Sequence, residues 1–70
     1  MISFKPFFET MKRKGITTYK LFNMGFSVAT YYRIKEGKGA NSSTIGELCK
    51  LLDCTVSEII EYIPDENKKT

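Results

Sequence analysis

Two glycines, Gly25 and Gly37, bracket the run Phe26-Ser27-Val28-Ala29-Thr30-Tyr31-Tyr32-Arg33-Ile34-Lys35-Glu36. Gly25 lets the chain turn. Ser27 is the residue type that opens a helix, because its hydroxyl accepts a backbone N–H from the first turn. Gly37 is the type that closes one. Between them, Tyr31 and Ile34 stand three apart and face inward, while Thr30 and Arg33 fall on a different face, with Ala29 and Tyr32 beside them. Another short helical stretch directly precedes Gly25. The chain is thereby constrained to a pair of short helices joined by a tight turn, the second held by one face and bare on the other.

A helix of these dimensions fits the DNA major groove, and charge agrees with an anionic partner. Residues 1–42 hold Lys5, Lys12, Arg13, Lys14, Lys20, Arg33, Lys35 and Lys38 against Glu9 and Glu36, a net +6. Residues 43–70 hold Lys50, Lys68 and Lys69 against Glu47, Asp53, Glu58, Glu61, Asp65 and Glu66, a net −3. The total of +3 hides this asymmetry. An anion is drawn to the part that carries the bracketed helix and repelled by the other.

Seventy residues make one domain with a modest core and little room for a deep substrate pocket. Residues 1–65 are expected to form that domain and 66–70 a polar tail. Histidine is absent, which removes the commonest general base and the commonest metal ligand. Cys49 and Cys54 are too few for a zinc site and have the wrong spacing for a CxxC pair; they read as small buried hydrophobes. No P-loop or other glycine-rich phosphate motif occurs, and no cysteine or serine has a histidine partner. No cofactor, metal or small-molecule substrate is expected, and enzymatic activity is not. No stretch approaches the roughly 20 apolar residues of a membrane span. The N-terminus lacks a signal core, so a soluble, cytoplasmic protein is the expectation.

Apolar spacing reads as helical throughout, without period-two alternation. An all-α chain of five short helices is predicted. The first covers about 6–14, with Pro6 in its first turn, Phe7, Phe8 and Met11 as its stripe, and Gly15 as its stop. The second covers about 18–23 with Thr17 as cap and Tyr19, Leu21 and Phe22 as apolar contacts; the third covers about 28–36. A polar loop, 38–43, follows. The fourth covers about 44–52, opened by the capping-box spacing Thr44-Ile45-Gly46-Glu47. Thr55-Val56-Ser57-Glu58 is a second such box and opens a fifth helix, about 56–62, buried by Val56, Ile59, Ile60 and Ile63 and stopped by Pro64.

Order and spacing together resemble a known family. The matching pieces are Lys14-Gly15-Ile16-Thr17-Thr18-Tyr19-Lys20-Leu21, then Gly25-Phe26-Ser27 with Thr30, Arg33, Ile34, Gly37 and Lys38. The longest is Thr44-Ile45-Gly46-Glu47-Leu48-Cys49-Lys50-Leu51-Leu52-Asp53-Cys54, continuing into Glu58-Ile59-Ile60-Glu61-Tyr62-Ile63-Pro64-Asp65. From Phe4 to Asp65 the chain resembles the lambda-repressor-like, Cro/CI-type (XRE-like) helix-turn-helix family. Within it, the chain is similar to small single-domain regulators of bacteria and prophages. Leu21-Phe22-Asn23-Met24-Gly25 is one residue shorter than is usual there, and Thr17 and Thr18 stand where Gln is often found.

The resemblance implies a compact five-helix DNA-binding domain with its helix-turn-helix at helices 2 and 3. It implies sequence-specific binding of double-stranded DNA and transcriptional regulation. By the family's geometry Val28, Ala29, Tyr32 and Arg33 meet base edges. Arg33 can bond both acceptors of a guanine; Val28 and Ala29 can touch a thymine methyl; Tyr32 brings a ring and a hydroxyl. Thr17, Thr18, Ser27, Thr30, Lys38, Asn41 and Ser42 are the expected backbone contacts. Other readings stay open: Arg33 solvated at the surface or paired with Glu36, Val28 in the core, Tyr32 packed on a neighbouring helix. A homodimer, formed either through the last helices around Tyr62 and Ile63 or only on DNA, is a further expectation. The alternative function is a protein-interaction or antitoxin-like adaptor with weak DNA affinity, to which the apolar Val28, Ala29 and Tyr32 are suited.

Overall fold

A computed structural model describes residues 1–64. The expected polar tail, 66–70, lies outside the described residues, as does Asp65. Strand β1 (Ile2–Ser3) leads into α1 (Lys5–Lys14), α2 (Thr18–Asn23), α3 (Val28–Lys35) and α4 (Ser42–Leu52). A 3-10 turn (Val56–Glu58) and strand β2 (Glu61–Tyr62) complete the described residues. The domain is mostly helical.

Each helix ends where local chemistry serves its unpaired backbone groups. Gly15 takes a left-handed conformation (φ 70°) after α1, and its N–H reaches the Lys12 carbonyl at 3.1 Å. Thr17 caps α2 by accepting the Lys20 N–H at 3.1 Å. Ser27 caps α3 by accepting the Thr30 N–H at 3.2 Å. Past α3, Gly37 turns left-handed (φ 84°) so that the Lys38 N–H returns to the Arg33 carbonyl at 2.9 Å.

The core is one cluster drawn from every helix. Phe4, Phe7, Met11, Leu21, Phe26, Tyr31, Ile34, Leu48, Leu52 and Ile59 are all buried in it. The expected inward residues of the first and third helices take part, and α4 contributes Leu48 and Leu52. Tyr19 does not: it is 76% exposed. It lies two residues from the fully buried Leu21, and two residues turn a helix by about 200°, so one of the pair must face out.

The expected fifth helix is absent. The carbonyls that would continue it are taken by α1. Thr10 buries its hydroxyl and donates it to the Glu58 carbonyl at 2.7 Å, and the Phe7 N–H donates to the Ile59 carbonyl at 3.1 Å. The chain leaves helical geometry after one 3-10 turn and continues as β2. Ile2 pairs with Tyr62 and Ser3 with Glu61, antiparallel. Met1 and Ile63 extend the ladder by exchanging hydrogen bonds of 2.7 and 2.8 Å. Of the four residues expected to bury that helix, only Ile59 is fully buried; Val56 is 53% exposed.

The start of α4 also differs from expectation. Asn41, not Thr44, is its cap, accepting the Thr44 N–H at 2.9 Å. The polar run 38–43 is thus shorter as a loop, and Ser42 and Ser43 belong to the helix. The second capping box does form, with the Glu58 carboxylate accepting the Thr55 N–H at 2.9 Å. Glu58 also pairs with Arg13 of α1 at 2.9 Å. Arg13 is therefore a clasp between the two ends of the domain, beyond a charge that suits a helix C-terminus.

The Thr55 N–H bond does most to hold the Glu58 carboxyl below its ordinary range. The Thr55 hydroxyl, Arg13 and Lys14 add to this, and desolvation opposes it. A carboxyl depressed in the folded state stabilises the fold above its unfolded pKa and stops doing so as pH falls through the folded value. Thermal melts from neutral to strongly acid pH should show the wild type losing more stability than Glu58→Gln, and the two should converge at the acid end. Parallel curves would show that the clasp contributes nothing.

Candidate functional site

The helix-turn-helix is built by α2, the turn at 24–27 and α3. Its turn needs Gly25, whose φ of 103° is costly for any residue with a Cβ. Phe26, next in line, is buried and pins the turn to the core. Ser27 then starts α3 with a definite rotation.

That rotation is fixed from inside. The Tyr31 ring meets Phe22, Phe8 and Phe7 edge-on, at centroid distances of 5.5, 6.0 and 6.3 Å. These are favourable aromatic geometries. Burial, and then neighbouring Tyr32, push the Tyr31 phenol above its ordinary pKa. Ile34 is buried one turn on.

With Tyr31 and Ile34 inward, Val28, Ala29, Tyr32 and Arg33 lie on the outward side by the helical repeat. All four are exposed. Val28 is 49% exposed, so it is not a core residue. Tyr32 packs on its neighbours without being covered by them. Its ring sits 5.2 Å from Tyr31 and 6.5 Å from Phe22, yet the residue is 47% exposed. It is a partly immobilised aromatic with one side open.

Arg33 makes no ion pair among the described residues. Glu36, its expected alternative partner, instead pairs with Lys38 at 3.4 Å. Both side chains of that pair are well exposed, and such pairs contribute little. The Lys38 ammonium thus remains exchangeable, while its backbone is tied to Arg33. Lys20 and Lys35 are exposed on α2 and α3 and add further positive charge.

The expected backbone-contact residues occupy the ends of the two-helix unit and the start of the next helix. The Thr17 and Ser27 oxygens are engaged as caps, which leaves each hydroxyl proton directed elsewhere. Thr18 is exposed and Thr30 half-buried. Asn41 uses its carbonyl oxygen as the α4 cap and keeps its amide donors; Ser42, the first residue of that helix, is exposed. The sequence reading missed Tyr19. Its exposed ring and hydroxyl stand beside Thr18 on α2, and the two-residue offset from Leu21 was the available signal.

Among the described residues no three His, Cys, Asp or Glu side chains are grouped to hold a metal ion. Nor is any described helix long and apolar enough to cross a membrane.

The Ser27 cap sets where α3 begins. Ser27→Ala should cost about 1 kcal/mol in urea unfolding and Ser27→Gly a few tenths. An unchanged midpoint in Ser27→Ala would show that the turn alone positions the helix.

No curated protein and no solved structure matches the chain. Residues 9–65 match the family model described as the Cro/C1-type HTH DNA-binding domain, and the chain belongs to that family.

Proposed function

We propose that this member of the Cro/C1-type family binds double-stranded DNA sequence-specifically and regulates transcription in a bacterium, phage or mobile element, with α3 in the major groove. One observation carries this reading. The inward anchoring of Tyr31 and Ile34 leaves Val28, Ala29, Tyr32 and Arg33, which has no ion pair among the described residues, together on an open helical face.

In this reading Arg33 donates to the N7 and O6 acceptors of a guanine. Val28 and Ala29 give apolar contact, most usefully to a thymine methyl. The Tyr32 hydroxyl bonds a base edge or a phosphate. Thr17, Thr18, Ser27, Thr30, Lys38, Asn41 and Ser42 hold the DNA backbone on either side. Tyr19 and Lys20 are added to that set because both are exposed at the start of α2. The chemistry needs no cofactor, and the site of action is the cytoplasm.

One module makes a small DNA interface, and a second copy on a paired half-site enlarges it. Ile2 and Tyr62 face each other across the two-stranded sheet and are both exposed. With Ile63 they are the surface proposed for a homodimer. The second functional reading, an adaptor or antitoxin-like module, draws on the apolar character of Val28 and Tyr32.

Selection from a random duplex library tests the first reading. Enrichment of a palindrome supports a dimeric DNA-binding regulator; no enrichment favours the adaptor. On an enriched site, Arg33→Ala should weaken binding by about 1–3 kcal/mol and relax preference at one base pair. Lys38→Ala should weaken binding evenly across sequences and shallow the salt dependence of log K by about one. Unchanged affinity and preference in Arg33→Ala would contradict the docking of α3.

A further inference from the structure

The corner that ends α4 holds both cysteines of the chain. Asp53 adopts a left-handed conformation (φ 53°), and the Cys54 N–H reaches back to the Cys49 carbonyl at 3.0 Å. This six-residue closure is the helix-ending arrangement in which the first and sixth side chains meet. Here those two side chains are thiols. Both are free, half-buried and packed against the core cluster. The backbone closure suits the Cα separation a disulfide spans, about 4.4–6.8 Å.

The geometry points to Cys49 and Cys54 as a dithiol modification site that closes to an intrachain disulfide with a low-molecular-weight disulfide as oxidant. One cysteine thiolate attacks a sulfur of the oxidant. A mixed disulfide forms and one small thiolate leaves. The second cysteine thiolate then attacks the protein sulfur of that mixed disulfide. The Cys49–Cys54 bond forms and the second small thiolate leaves. The protein gives up two protons and two electrons, and the oxidant is reduced to two thiols.

The local environment makes this exchange slow. Burial pushes the Cys54 thiol up, and the neighbouring Cys49 and the Glu58 carboxylate act in the same direction, against Lys14. A thiol so placed attacks sluggishly. Closure is favoured by proximity, not by nucleophilicity. Its effect is structural: it fastens the left-handed turn that passes the chain from α4 to the Glu58 clasp.

The test equilibrates the whole chain at low concentration in defined mixtures of reduced and oxidised glutathione, with and without denaturing urea. The folded chain should lose both thiols together and two hydrogens in mass, remain monomeric, and favour the closed form at least tenfold more than the chain in urea. Cys49→Ser and Cys54→Ser should each stop at a glutathione adduct. An equal or smaller closure constant in the folded chain would overturn the proposal, because it would show that the native corner does not hold the thiols ready. So would a wild type that stops at the adduct.

Discussion

Tyr31 is the residue on which the geometry of the exposed face depends. Its ring is held edge-on by aromatic side chains from α1 and α2, with Ile34 seated one turn on. A helix of eight residues has little stability of its own. It is kept helical and kept at one rotation by this packing and by the Ser27 cap. Rotation decides which side chains α3 presents, because turning it by one residue, about 100°, would replace Arg33 with a different side chain on the open face.

The other end of the domain is closed by backbone hydrogen bonds and one ion pair. Thr10 and Phe7 of α1 take the carbonyls of Glu58 and Ile59, and Arg13 takes the Glu58 carboxylate. The chain is then free to pair β2 with β1. The N-terminus and the last described residues thus brace the same side of the core.

The helices were legible where end signals and apolar spacing agreed. Thr17, Ser27, Gly15 and Gly37 mark ends that the structure keeps. At the start of α4 two signals compete, the capping-box spacing of Thr44 and Glu47 and an asparagine, Asn41, just before Ser-Ser-Thr, and the sequence does not rank them. The last element misled for a different reason. Val56, Ile59, Ile60 and Ile63 have helical spacing, but β-branched residues also suit strands. Which outcome prevails depends on Thr10 and Phe7, some fifty residues away in the chain, and no local pattern reports that. In the candidate site, the inward pair Tyr31 and Ile34 was legible from spacing, and the exposure of Val28, Ala29, Tyr32 and Arg33 follows from it. The exchange of Glu36 from Arg33 to Lys38 was not legible, since both partners lie within reach in sequence.

The central claim is that the open side of α3 is the surface laid along a duplex. Solution NMR of the labelled chain during titration with an enriched duplex tests it most directly. The account predicts the largest shifts at Val28, Ala29, Tyr32 and Arg33, with smaller ones at Thr17, Thr18, Lys38, Asn41 and Ser42. Shifts centred instead on Val56 to Ile63, with α3 unmoved, would contradict it.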